Sequence, residues 1–172
     1  MYRTLTFPSL ALGALALAAA AHAAGNLDKS DTKFLTKAAG GGMFEVQVGQ
    51  LAADKATDPD IKAFGTMLVK DHSAANDQLK QLAAAKSVSL PTELPKDMQK
   101  TLDTLQGESG AKFDKDFIKL VGIDDHKDDI KLFEKNGQKA KDADVQAFAT
   151  KTLPTLREHL QHAEKIKGDK KL

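Results

Sequence analysis

The chain predicts an all-α fold, a four-helix bundle with an additional short helix in its long central connection. Apolar residues recur at alternating three- and four-residue steps through four long segments, and Pro, Gly and Asp punctuate the gaps between them as helix starts and stops do. A third observation bears on function. Of the four histidines that follow residue 23, His72, His126 and His159 fall on the apolar faces of three predicted helices, and Glu45 falls on the matching face of the fourth.

Residues 1–23 read as a signal peptide. Met1-Tyr2-Arg3 is a short positive start, Leu10 to Ala21 is apolar and alanine-rich, and Ala21-His22-Ala23 has the small-x-small form of a cleavage site. The apolar run is too short for a spanning helix. Residues 24–172 then form a single domain, large enough for a sizeable core. Without Arg3 its basic and acidic residues balance, so charge gives no reason to expect nucleic acid or an anionic membrane surface. There is no cysteine, which excludes disulfides and thiol chemistry.

Ser30 or Asp31 is placed to cap a first helix running to about Asp54, with Phe34, Ala38, Gly41, Glu45, Val48 and Ala52 as its buried stripe. Gly40-Gly41-Gly42 weakens it by roughly 0.8 to 1 kcal/mol per glycine relative to alanine. Either a neighbouring helix approaches closely there or the helix kinks. Asp58 caps a second helix with Pro59 in its first turn, and Ile61, Phe64, Leu68, His72, Ala75, Leu79 and Leu82 continue its apolar line. It ends near Lys86, and Ser87 to Pro95, with two prolines, reads as an extended connection.

A short helix is expected between Lys96 and Gly107, with Met98, Leu102 and Leu105 as its apolar side. The third long helix carries Phe113, Phe117 and Leu120 on one sector, and Ile123, His126, Ile130 and Phe133 on an adjacent one. Asn136-Gly137 is placed to close it. The fourth helix spans about Ala143 to Lys167, with Val145, Phe148, Thr152, Leu156, His159, Ala163 and Ile166 buried and a bend expected at Pro154.

If Glu45, His72, His126 and His159 converge, imidazole and carboxylate suit a transition metal, zinc first and iron or copper next, rather than calcium or magnesium. Four such ligands can satisfy tetrahedral zinc completely; an open position would instead allow redox chemistry or an activated water. Four separate hydrogen-bonded core residues is the alternative. His162 is peripheral to the buried line. Asp71, Asp125 and Glu158 each precede a stripe histidine, pointing about a hundred degrees away from it, so each either borders the cavity, reaches a histidine on a neighbouring helix, or faces solvent. The Glu-x-x-His pairs of a di-iron bundle are missing at all three histidines, which makes oxidase or iron-storage activity improbable. Phosphate-loop and nucleophile-elbow contexts are missing too, so no catalytic residue is assigned, no organic cofactor is predicted, and whether the protein is an enzyme stays open.

AAGGGMFEVQVGQLA from Ala38 to Ala52, MLVKDH from Met67 to His72, FDKDFI from Phe113 to Ile118, the isolated His126, and LPTLREHLQHA from Leu153 to Ala163 together resemble the bacterial domain of unknown function numbered 4142. The resemblance covers nearly the whole of residues 24–172. It implies a ferritin-like helical bundle in an exported protein, and it matches Glu45, His72, His126, Leu153-Pro154 and His159 to the family's typical residues. It supplies no reaction. The expected location is the periplasm of a Gram-negative bacterium, or else secretion or association with the outer membrane. Two functions are carried forward: a metal-binding, stress-related bundle, and a non-catalytic interaction or structural module with an envelope protein or a second copy as partner.

Overall fold

The computed structural model describes residues 27–172, so the predicted signal peptide lies outside the described residues. All the regular structure there is helical: α1 (Lys29–Lys55), α2 (Pro59–Ala85), α3 (Lys96–Gly107), α4 (Gly110–Phe117), a π-helical stretch (Ile118–Asp125), α5 (His126–Lys139) and α6 (Ala143–Lys170). No helix among the described residues is long and apolar enough to cross a membrane. α4, the π stretch and α5 run on without a break as the third long helix.

Local chemistry sets most of the boundaries. Asp58 caps α2 by accepting from the Asp60 N–H at 2.8 Å, and Asp142 caps α6 by accepting from the N–H groups of Asp144 and Val145. α1 differs from expectation: Asp28 caps it, accepting from the Ser30 N–H at 2.8 Å. Asp31 is freed for a tertiary role. Buried, it accepts from the backbone N–H groups of Lys141 at 3.0 Å and Asp142 at 2.8 Å, tying the start of α1 to the α5–α6 turn. At the other end Asp114, also buried, accepts from the N–H groups of Thr57 and Asp58, both at 3.0 Å, and ties α4 to the α1–α2 turn.

Two apolar clusters give the direction of each helix. Phe34, Leu35, Leu79, Phe133, Val145 and Phe148 pack at one end of the bundle. Val48, Phe64, Leu105, Phe117 and Ile166 pack at the other. α1 and α6 therefore run one way, and α2 and the third long helix run the opposite way. Two parallel neighbours in sequence require a crossover along the bundle, which residues 86–109 supply, with α3 inside it.

The triple glycine is a meeting point, and α1 stays helical through it. A Cβ on Gly40 would stand 2.8 Å from Cγ of Pro95 in the crossover, one on Gly41 would stand 3.5 Å from Asp129 of α5, and one on Gly42 would collide with Asn76 of α2. Three different elements close on three successive faces, which offsets the poor helix propensity. Gly137 likewise serves close packing, since its Cβ position lies 3.1 Å from Oγ1 of Thr150, and the helix continues past it to Lys139. α6 continues through Pro154.

The π stretch explains why the third helix carries its apolar residues on two sectors. Phe113, Phe117 and Val121 are buried at four-residue steps, and His126 follows Val121 after five. One wider turn absorbs the extra residue and brings both series to the core.

Candidate metal centre

The bundle's middle holds His72 from α2, His126 at the start of α5 and His159 from α6, all buried. One nitrogen from each lies within 4.8 Å of the others. The ring centroids of His126 and His159 are 5.2 Å apart, those of His72 and His159 5.2 Å, and those of His72 and His126 5.8 Å. Phe64 forms an apolar wall, its ring 6.4 Å from His126 and 6.3 Å from His159.

Hydrogen bonds on the outer edges decide which nitrogens face inward. His126 Nδ1 sits 2.9 Å from the Val121 carbonyl. A carbonyl only accepts, so Nδ1 carries the proton and Nε2 of the neutral ring is a lone pair. Where the π stretch ends, the His126 backbone N–H turns back to the Ile123 carbonyl and not to Val121 five residues earlier, which is left to the side chain. His159 Nε2 sits 3.1 Å from Oδ2 of Asp71, so it donates to a carboxylate and its Nδ1 is a lone pair. Those two lone pairs, His126 Nε2 and His159 Nδ1, face each other at 3.2 Å. His72 Nε2 is buried with no hydrogen-bond partner. Two opposed lone pairs beside an orphaned third nitrogen repel one another unless a cation stands among them.

Burial also holds these rings uncharged. It pushes His126 down from 6.5 to about 4 and His72 well below its ordinary value. His159 is likewise lowered by burial, against the opposing pull of Asp71. At neutral pH all three are in the form that ligates metal.

Asp71 also reaches the outside. It lines a groove of about 330 Å³ between α2 and α6 together with Gln78, Lys151, Thr155 and Glu158. Of the three acids that precede stripe histidines, Asp71 therefore reaches a histidine on a neighbouring helix, while Glu158 faces solvent. Asp125 adjoins Glu45. His162 is exposed and stacks on Phe64 with centroids 5.5 Å apart, outside the cluster as expected.

Glu45 stands elsewhere than the three imidazoles. It is fully buried, and its Oε1 lies 3.5 Å from Nδ1 of His126, the ring edge that faces Val121 and not the one that faces His159. Among the described residues no N–H or O–H group donates to either of its oxygens. Its neighbours are the carboxyl groups of Asp125 and Asp129, and burial first, then Asp125, raise Glu45 well above the usual carboxylate range. Helical phase put Glu45 on the buried face, but it could not say at what depth or on which side of His126 it would land.

The protein-family model described as Domain of unknown function (DUF4142) matches residues 16–166. No curated protein and no solved structure matches the chain.

Proposed function

The chain belongs to the DUF4142 family, and from that premise we propose that it is an exported, ferritin-like bundle that binds one transition-metal ion through His72, His126 and His159. The observation that carries the reading is the set of inward lone pairs: three buried imidazoles with nitrogens within 4.8 Å, two of them tied at their outer edges by Val121 and Asp71. A carboxylate or carbonyl behind a ligating imidazole is how metal sites fix ring orientation and tautomer. The single crossover of residues 86–109 supports the ferritin-like arrangement.

The donor set favours zinc first, then iron or copper, because three neutral imidazoles suit borderline ions and repel none. Three protein ligands leave a fourth tetrahedral position for water or an anion. The groove over Asp71 opens beside the outer edge of His159. Export to the periplasm rests on the signal-like first 23 residues, and a role in metal stress follows from a site of this kind in that compartment.

Elemental analysis with native mass spectrometry on protein purified without tag or chelator tests the reading. One equivalent of a transition metal, lost in His72→Ala, His126→Ala and His159→Ala, is the expected result. Metal-free protein that takes up neither zinc, iron nor copper would overturn it.

A further inference from the structure

We propose that Glu45 and Asp125 form a second cation site, made of oxygen donors and separate from the three imidazoles, that takes a hard divalent ion such as Mn²⁺, Mg²⁺ or Ca²⁺. Glu45 is 0% exposed, and neither of its oxygens meets a donor. Oδ2 of Asp125, at the end of the π stretch, is buried and equally without a partner. The two carboxyl groups come within hydrogen-bonding reach of each other. Asp129, one turn beyond Asp125, lies over the backbone of Gly41, its oxygens 3.5 and 3.6 Å from where a Cβ would stand. Gly41 is itself one turn before Glu45, so Asp129 stands one turn along α1 from the Glu45–Asp125 pair.

Among the described residues nothing basic pairs with them. The charged groups acting on Glu45, Asp125 and Asp129 are one another, Asp97 and Asp128, all acidic. Unpaired carboxylates inside a protein are too costly to leave bare, so the group must hold either protons or a cation. Facing carboxylates from two helices are the donors hard divalent ions prefer, with water completing the shell. The His126 edge beside them is closed as a ligand, because Nδ1 donates to Val121. The Glu45 side therefore offers oxygen only, and the far side of the same ring offers nitrogen only. One imidazole separates a hard site from a borderline one.

The test loads chelator-stripped full chain with Mn²⁺ and follows free ion by electron paramagnetic resonance. One Mn²⁺ per chain is expected in the wild type, displaced by excess Ca²⁺ or Mg²⁺, and retained in His72→Ala and in zinc-loaded protein. Glu45→Gln and Asp125→Asn should each weaken Mn²⁺ binding by about tenfold or more while keeping their zinc equivalent. Both substitutions replace a buried carboxylate by an amide of the same shape, and circular dichroism reports that each variant is folded. Stoichiometric Mn²⁺ uptake that is unchanged in both variants, or lost in His72→Ala, would overturn the proposal. So would no uptake by the wild type together with a protonated-carboxyl infrared band that disappears in Glu45→Gln, the mark of a shared proton. Zinc failing to bind while Mn²⁺ binds as described would remove the histidine centre and leave this site standing.

Discussion

Acidifying the metal-free protein from about pH 6.5 to about pH 4 should draw a defined cost in stability from His126. Burial lowers that imidazole from 6.5 to about 4. Over the interval the unfolded chain holds a proton on His126 that the folded chain does not. The unfolded state thus binds more protons, and the stability of the fold rises with pH across the window. The contribution is complete above 6.5, falls as pH drops toward 4 and is flat below. At about 1.4 kcal/mol per tenfold change in proton affinity the full effect is about 3 kcal/mol, with no discount for solvent because the side chain is 0% exposed. Glu45 and Asp129 act in the opposite sense. Burial raises both, so the stability they confer is present below the ordinary carboxylate value and is lost as pH rises through their raised values. The whole-protein curve is a sum of these, and the His126 share appears only as a difference. Urea unfolding in EDTA at a series of pH values, wild type against His126→Gln, measures it: glutamine keeps a donor for the Val121 carbonyl and does not titrate. The two curves should diverge by up to about 3 kcal/mol between pH 4 and 6.5. Parallel curves would refute both the burial of a neutral imidazole and the lone-pair assignment built on it.

Zinc affinity should fall steeply in His72→Ala, His126→Ala and His159→Ala and stay unchanged in His162→Ala, read by competition with a chromophoric chelator; an equal effect at His162 would contradict the geometry. Asp71→Asn keeps an acceptor for His159 but removes its charge, and isothermal titration should show zinc binding weakened by about 10- to 100-fold with the fold intact. Gly65→Ala should destabilise by about 1–3 kcal/mol in thermal or urea unfolding, since its Cβ would stand 2.6 Å from the Gly49 carbonyl and 2.8 Å from the Ala53 nitrogen, both backbone atoms. Gly168→Ala, with nothing within 4 Å, should stabilise by up to about 1 kcal/mol.

What could be read from the sequence follows a physical divide. Helices whose signals are local were legible: the Asp58 cap, the crossover helix between Lys96 and Gly107, and the burial of His72, His126 and His159 all follow from neighbours within a turn or two. Roles set by distant partners were not. Asp31 bonds backbone 110 residues away and Asp114 bonds backbone 57 residues away, so each reads locally as a cap or a surface acid. Asp71 was legible only as one of three acids able to reach a neighbouring helix, and the 3.1 Å contact with His159 across 88 residues selects it. The position of Glu45 failed for a related reason: a phase argument fixes only a face, while the depth and the side of a neighbouring ring depend on packing and on that ring's own hydrogen bond. The π turn did leave a trace, in the two apolar sectors of the third helix, but it is Val121 and not the expected Leu120 that continues the first of them into the core.

That wider turn makes the metal centre separable from the bundle that houses it. A π turn is an α-helix carrying one residue too many, so deleting a single residue from Ile118–Asp125 would let ordinary helix close the gap. With that residue gone, the step from Val121 to His126 becomes four, which ordinary helix keeps on one face, so α5 holds its apolar register and the packing of the bundle is preserved. What changes is the backbone around the ring, because the Val121 carbonyl that accepts from His126 Nδ1 is left to the side chain where the wider turn ends. The bundle could therefore outlive the fixed orientation of His126, and a change of one codon in this segment would be felt at the histidine cluster before it was felt in the core.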